Sequence, residues 1–223
     1  MKHLIKRLLQ SKYRGLNALD RQLEPYVNYE GGYYVELGAN DGITQSNTHY
    51  FEKHRGWRGL LVEPSPHNYL KCRENRSPDN RIVCAACVSF DYRPEFVRIT
   101  YSNLMSVPQG LETDIVDPMA HAAVGRQFLA AHEDIFDFGA VARPLNALML
   151  EANAPRVIDF LSLDVEGAEI EVLKGVDHST FRFKYILVEC RSLPTMQAYL
   201  NGKGYRLLKN LSEHDYLFTS LGI

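Results

Sequence analysis

Two short stretches of this 223-residue chain set carboxylates beside glycine. One is Glu36-Leu37-Gly38-Ala39-Asn40-Asp41-Gly42; the other is Ser162-Leu163-Asp164-Val165-Glu166-Gly167-Ala168-Glu169. Glycine lets the backbone turn sharply and lets a ligand come close to it. In the second stretch Asp164 and Glu166 follow an apolar run and lie two apart. In extended backbone they therefore share a face. Such a carboxylate can take the proton of a hydroxyl that attacks an electrophile in line. A pair of them can instead hold a divalent cation that acidifies the hydroxyl, with Asp164 and Glu189 the candidate ligands. Glu189 and His214 are further catalytic candidates near the same edge. The competing reading of Asp164 and Glu166 is plain charge at a helix N-terminus, worth ~0.3–1 kcal/mol. Glu169 and Glu171 read as solvated charges on that helix.

The first stretch departs from a dinucleotide fingerprint. Gly-x-Gly-x-x-Gly places a pyrophosphate on a helix N-terminus. Here Asn40 holds the second glycine position and Asp41 follows it. A carboxylate there repels a pyrophosphate and suits a cationic sulfonium with an amino-acid group. No Gly-Lys-Ser/Thr follows, so a P-loop is absent. Glu63 ends the next apolar run, 25 residues after Gly38. A carboxylate at that point can accept hydrogen bonds from both ribose hydroxyls. A simple strand–helix turn and a surface glutamate are the alternatives for the loop and for Glu63.

The elements that would position these groups form a series of short apolar strands alternating with helices, the pattern of a mostly parallel sheet covered on both faces. Residues 16–26 read as helix. Strands are predicted at 33–37, 59–63, 82–88, 158–164 and 185–189. Helices are predicted through about 53, at 67–75, 144–151, 168–174 and 195–201. Runs 205–208 and 216–219 are close enough to form an antiparallel hairpin. Residues 90–142 are less regular, with an extended piece at 95–101 and a helix near 121–133. So long a segment in a small domain reads as a substrate lid or insertion. The expectation is one domain over 1–223, with a helical extension at 1–29.

Composition is that of a globular chain: 45% hydrophobic, 23% charged, formal charge -2. No basic field points to nucleic acid. No apolar run reaches the roughly 18 residues of a membrane span. Residues 1–12 read as a short basic amphipathic helix, packed on the domain or in weak contact with a membrane surface. Cys84-Ala85-Ala86-Cys87 has metal or redox spacing but lacks a second pair. Reduced, structural cysteines and a cytoplasmic setting are expected.

The motifs together resemble the FkbM-type methyltransferases. The first carrying run is Tyr34 to Gly42, with Ser46-Asn47-Thr48, Phe51-Glu52 and Gly56 to Pro64. The second is Asp159 to Glu169, with Val172-Leu173-Lys174-Gly175. The resemblance spans about residues 30–220. It implies a Rossmann-like, seven-stranded sheet, mostly parallel, ending in an antiparallel hairpin and covered by helices on both faces. It implies S-adenosylmethionine as methyl donor and O-methylation of a saccharide, glycan or related natural product. It would place the donor against Glu36, Gly38, Asn40, Asp41 and Gly42. Glu63, with Pro64, would hold the ribose, and Ser46, Asn47 and Thr48 would lie close by. Asp164 and Glu166 would be catalytic or metal-binding. Mg2+ or another divalent cation is a further expectation. Partners would be a small-molecule or glycan acceptor and no nucleic acid. Tyr101, Ser102, Asn103 and Met105 are candidates for the acceptor pocket. A nicotinamide-dependent oxidoreductase and a non-catalytic binding protein on the same fold remain the alternatives.

Overall fold

The computed structural model describes residues 12–222. The 1–12 helix expected from sequence lies almost wholly outside them. A short 3-10 turn, Leu16–Ala18, leads into helix α1, Leu19–Val27. Strand β1, Tyr33–Leu37, then α2, His49–Arg55, β2, Arg58–Val62, α3, Pro66–Asn75, and β3, Arg81–Val83, complete the first half of the main sheet. The second half holds α5, Leu145–Glu151, β8, Val157–Leu163, α6, Glu169–Leu173, β9, Arg182–Glu189, and α7, Leu193–Gly202. It closes with β10, Tyr205–Asn210, and β11, Asp215–Ser220.

The main sheet has seven strands in the order β10-β11-β9-β8-β1-β2-β3. Pairings from β9 to β3 are parallel, and β11 is antiparallel to both β9 and β10. The chain steps outward from β1 to β3, then returns to place β8 on the other side of β1. The order therefore reverses between β1 and β8, and in open α/β sheets ligands bind at the carboxyl ends of such a pair. The central strands are apolar along both faces because helices cover both. Val35, Leu60, Leu161 and Ile186 pack against α5, α6 and α7 on one side. Tyr34, Leu61, Phe160 and Leu187 pack against Leu23, Phe51 and Trp57 on the other.

Two sequence expectations change here. The single strand at 82–88 is two strands in two sheets. β3 ends at Val83, and β4, Ala86–Val88, leaves the main sheet to pair with β7. Both pieces are apolar, so nothing in the run marks the change. The segment 90–142 is also more regular than expected. It forms β5, Phe96–Tyr101, β6, Val107–Gln109, and β7, Phe136–Pro144, in a second sheet of order β4-β7-β5-β6. A small core of Val88, Val97, Ile99 and Ala140 holds it. Its helix α4 is Pro118–Val124, earlier than expected, followed by a 3-10 turn at Gly125–Phe128. Asp117 caps α4, accepting from Met119 N at 3.1 Å and Ala120 N at 2.9 Å, with proline in the first turn. Among the described residues no helix is long and apolar enough to cross a membrane. All four cysteines are free.

Candidate active site

A cavity of about 400 Å³ lies at the carboxyl ends of β1, β2, β8 and β9, within the size range of small-ligand sites. Leu16 and the 90–142 insertion complete its wall, the insertion through Asn103, Met105, Leu111, His121 and Phe128.

The glycine loop is built by close backbone approach. Gly38 has φ +76°, and a Cβ there would stand 2.0 Å from the Asp164 carbonyl oxygen. Only glycine lets the ends of β1 and β8 meet this closely. Asn40 also takes a left-handed conformation, φ +46°. Its backbone N donates to Glu63 Oε2 at 2.8 Å, and Ser65 N donates to Glu63 Oε1 at 2.9 Å. Burial pushes the Glu63 carboxyl up to about 7 despite these two donors. The loop reaches the insertion through Asn40 Nδ2, which donates to Asn103 Oδ1 at 3.2 Å.

Behind the loop stands a paired buried charge cluster. Arg76, at the end of α3, has a side chain with no solvent exposure. Its Nε donates to Glu52 at 2.6 Å; Nη1 donates to Glu36 at 3.1 Å and to the Gly42 carbonyl at 3.0 Å; Nη2 donates to Tyr34 at 2.7 Å and Thr48 at 2.8 Å. Glu36 also accepts from Ser46 Oγ at 2.9 Å, Asn47 N at 3.1 Å and Thr48 Oγ1 at 2.6 Å. Burial acts to raise the Glu52 pKa, but the adjacent guanidinium overcomes it and holds the group at about 2. The site's back wall is thus fixed by charge-assisted bonds.

The second carboxylate cluster is not neutralised in this way. Asp164 faces the cavity at the end of β8. Enclosure by protein raises its pKa well above the usual range, and the nearby charges of Glu189 and Glu166 and a hydrogen bond with Glu189 add to the rise. Glu166 has φ +55°, a strained conformation for a non-glycine residue. Its Oε2 lies 2.7 Å from His121 Nε2 and accepts from Arg191 Nη2 at 3.4 Å. Arg191 also stands 4.0 Å from Glu189 and 3.5 Å from Asp114. Asp114 Oδ2 accepts from Arg191 N at 2.6 Å, and Asp114 N donates to the Gly167 carbonyl at 3.1 Å. These contacts tie the insertion to the β8 and β9 ends.

The cavity wall thus brings together Glu36, Gly38, Asn40, Ser46, Asn47, Glu63 and Pro64 with Asp164, Glu166 and Glu189. Four of the donor-binding and catalytic candidates do not line it. Asp41 turns inward on its own loop, accepting from Ile43 N at 2.8 Å and Thr44 N at 2.7 Å. Gly42 and Thr48 serve the Arg76 cluster. His214 lies in the β10–β11 turn, where its carbonyl accepts from Cys190 N, and its side chain is 44% exposed. Of the acceptor-pocket candidates, Asn103 and Met105 reach the cavity. Ser102 instead donates to the Ala122 carbonyl at 2.6 Å, and Tyr101 donates to Glu133 at 3.2 Å.

Glu169 and Glu171 are not solvated. Glu169 accepts from Val165 N at 3.0 Å and Gly167 N at 3.1 Å, shaping the β8–α6 turn, and burial pushes it up to about 8. Glu171 accepts from Ser89 Oγ at 2.6 Å. The sequence reading missed Arg76, which sits in the polar run Arg73-Glu74-Asn75-Arg76-Ser77 with no mark of burial. It also missed His121 and Arg191; an Asp117-Pro118 helix start four residues earlier was the available signal for His121. Among the described residues no group of three or more His, Cys, Asp or Glu side chains could hold a metal ion. Asp164 and Glu189 are a pair, enough only for a cation that keeps most of its own waters.

A mostly parallel sheet with a carboxylate-lined cavity at its point of reversal defines a mixed α/β, Rossmann-like architecture, with the candidate site where such sheets hold ligands. The chain belongs to the FkbM methyltransferase family: the family model, Methyltransferase FkbM domain, matches residues 36–218. No curated protein matches it. Among solved structures it is similar to the FkbM methyltransferase of Methylobacillus flagellatus KT, with 13% identity and a TM-score of 0.48 over 91% of this chain and 53% of that one. It is also similar to M. capricolum TrmK in complex with S-adenosyl-homocysteine, with 7% identity and a TM-score of 0.46 over 90% and 65% of the two chains. A third is the precorrin-6y C5,15-methyltransferase of Geobacter metallireducens GS-15, with 12% identity and a TM-score of 0.44 over 94% and 90%. The chain therefore spans 53% to 65% of the first two of these proteins.

Proposed function

We propose that this chain is an S-adenosylmethionine-dependent methyltransferase that methylates a hydroxyl of a small molecule, saccharide or glycan. One observation carries the reading. Two carboxylate sets, at the ends of β1–β2 and of β8–β9, line a single cavity across the point of sheet reversal.

The residues present fit the donor. Glu63 is a buried carboxylate with only one backbone donor on each oxygen, so it has acceptor capacity left for ribose hydroxyls. Asn47 Oδ1 is a buried acceptor without a partner, on a residue of the cavity wall, and an ammonium group would satisfy it. The absence of a basic side chain from the glycine loop suits a cationic ligand. Bound there, S-adenosylmethionine supplies an electrophilic methyl group. Glu36 and Arg76 keep loop 38–48 in shape, and Glu36 also lines the cavity the donor would fill. Gly38 and Asn40 give the ligand backbone to lie against. Asp164, Glu166 and Glu189 form the wall an acceptor hydroxyl would meet, where a carboxylate can orient it or receive its proton. The insertion covers part of that wall and, through Asn103 and Met105, would contribute to acceptor choice.

Thermal unfolding with S-adenosylmethionine, S-adenosylhomocysteine or NAD, each with and without magnesium, tests the reading. A ligand at about 100 times its dissociation constant adds ~2.7 kcal/mol, which raises the midpoint by roughly 5–10 °C for a chain of this size. A rise with both sulfur ligands and none with NAD is expected. A rise with NAD alone would move the chain to the oxidoreductases, and no rise with any ligand to the binding proteins. A further rise confined to magnesium would assign Asp164 and Glu189 to a cation.

A further inference from the structure

Glu166 stands out in the cavity wall because its position is costly. A left-handed backbone at a residue with a Cβ persists only where the surroundings enforce it, and here they do. The next residue, Gly167, leaves room for Thr113 and Ile115 of the insertion: a Cβ on Gly167 would lie 2.4 Å from Thr113 Oγ1. The strained turn therefore brings the Glu166 carboxylate against His121 of α4. The two side chains are 13% and 14% exposed, and both line the cavity.

With the Glu166 oxygen as acceptor, the 2.7 Å contact assigns the ring hydrogen to His121 Nε2. In the neutral ring Nδ1 is then the lone-pair nitrogen, and it has no hydrogen-bond partner among the described residues. Glu166 also meets Arg191, which reaches Glu189, which in turn meets Asp164. Asp164, Glu189, Arg191, Glu166 and His121 thus form one continuous polar arc on the cavity wall, running from two strand ends onto the insertion. A carboxylate that orients an imidazole, whose other nitrogen is free, is the arrangement of a general base and its orienter.

We propose that His121 is the base that takes the proton of the acceptor hydroxyl, and that Glu166 is its positioning residue; this rests on the methyltransferase reading above. The hydroxyl proton passes to Nδ1 while its oxygen bonds the methyl carbon. The carbon–sulfur electron pair stays on sulfur. The positive charge lost at the sulfonium reappears on the imidazolium, beside the Glu166 carboxylate. The insertion then supplies a reacting group as well as cover, so the catalytic wall is complete only with the insertion seated.

The test needs no acceptor. Sinefungin is the donor analogue with an amine where the transferred methyl would be, so its ammonium meets the groups an acceptor hydroxyl would meet. S-adenosylhomocysteine lacks any group there. Calorimetric titration of His121→Ala should show sinefungin affinity falling by roughly tenfold or more, the value of one hydrogen bond to a charged group, with S-adenosylhomocysteine affinity unchanged. Equal losses for both ligands would reduce His121 to a latch for the insertion, and no loss for either would remove it from the site; both results overturn the proposal. Failure of the unmutated chain to bind either ligand would bring down the donor reading itself, and is distinguishable from any result confined to His121. Nitrogen NMR of the unmutated protein covers the case in which His121→Ala does not fold. The His121 signals should be those of an Nε2–H ring, with Nδ1 shifted by sinefungin and not by S-adenosylhomocysteine. An Nδ1–H ring, or equal shifts from both ligands, would contradict the assignment.

Discussion

The two carboxylate clusters around the cavity differ in how their charge is treated. Behind the glycine loop, Glu36 and Glu52 share a buried arginine that spends all three of its guanidinium nitrogens on the cluster. Across the cavity, Asp164 faces Glu189 and Glu166, and the nearby Arg191 reaches those two and Asp114, with no ion pair to Asp164 among the described residues. The first arrangement gives stability and a fixed shape. The second crowds carboxylates together and raises the pKa of Asp164, the kind of perturbation that clusters at functional sites. The Rossmann-like sheet holds both clusters a strand apart, β1 beside β8.

The largest expected effect breaks the paired cluster. Arg76→Met leaves two buried carboxylates without the cation they share. Removing one side of a buried pair costs about 3–5 kcal/mol, a fall in melting temperature of roughly 6–20 °C for a chain of this length. A calorimetric midpoint within two or three degrees of the parent would show that Arg76 does not hold the loop.

Next comes Glu63, the buried carboxylate at the end of β2. Its pKa is raised from 4.5 to about 7 by burial. Between those pH values the folded chain holds a proton that the unfolded chain has released. The stabilising effect of that proton is full below about pH 4.5 and is lost as pH rises through 7, a change of roughly 3 kcal/mol. Glu63→Gln should flatten that part of the ligand-free stability profile, read by urea unfolding from pH 4.5 to 8. A profile as steep as the parent's would place the titration elsewhere.

Asp164→Asn should act in the opposite direction to Arg76→Met. It removes a repulsive charge, so the midpoint at pH 8 should hold or rise by a few degrees, limited by the water that reaches the cavity and screens it. A marked destabilisation would mean that Asp164 is a structural partner like Glu36. The smallest effect belongs to His214→Ala, outside the cavity, which should alter stability by no more than ~0.5 kcal/mol and leave ligand-induced thermal shifts intact.

The comparison also separates what the sequence reveals from what it hides. The strands β1, β2, β8 and β9 were legible because they are buried on both faces and read as unbroken apolar runs. Gly38, Asn40, Glu63, Asp164 and Glu189 were legible as candidates at the ends of those runs, and all five line the cavity. β7 was not: Phe136 and Val141 are exposed, Asp137 pairs with Arg98, and Gly139 interrupts it, so neither apolar content nor alternation marks a strand. The Arg76 cluster was hidden because a polar residue buried by long-range pairing looks, locally, like any surface arginine. Glu169 and Glu171 misled for the same reason: their partners, the β8–α6 turn and Ser89, are assembled only by the fold.

The most direct test of the account titrates S-adenosylhomocysteine into the parent chain, Glu63→Gln and Asp164→Asn by calorimetry. The account predicts one site in the parent, a loss of at least about tenfold for Glu63→Gln, equal to one charged hydrogen bond, and little change for Asp164→Asn. No binding to the parent, or a greater loss from Asp164→Asn than from Glu63→Gln, would contradict the division of the cavity into a donor side and an acceptor side.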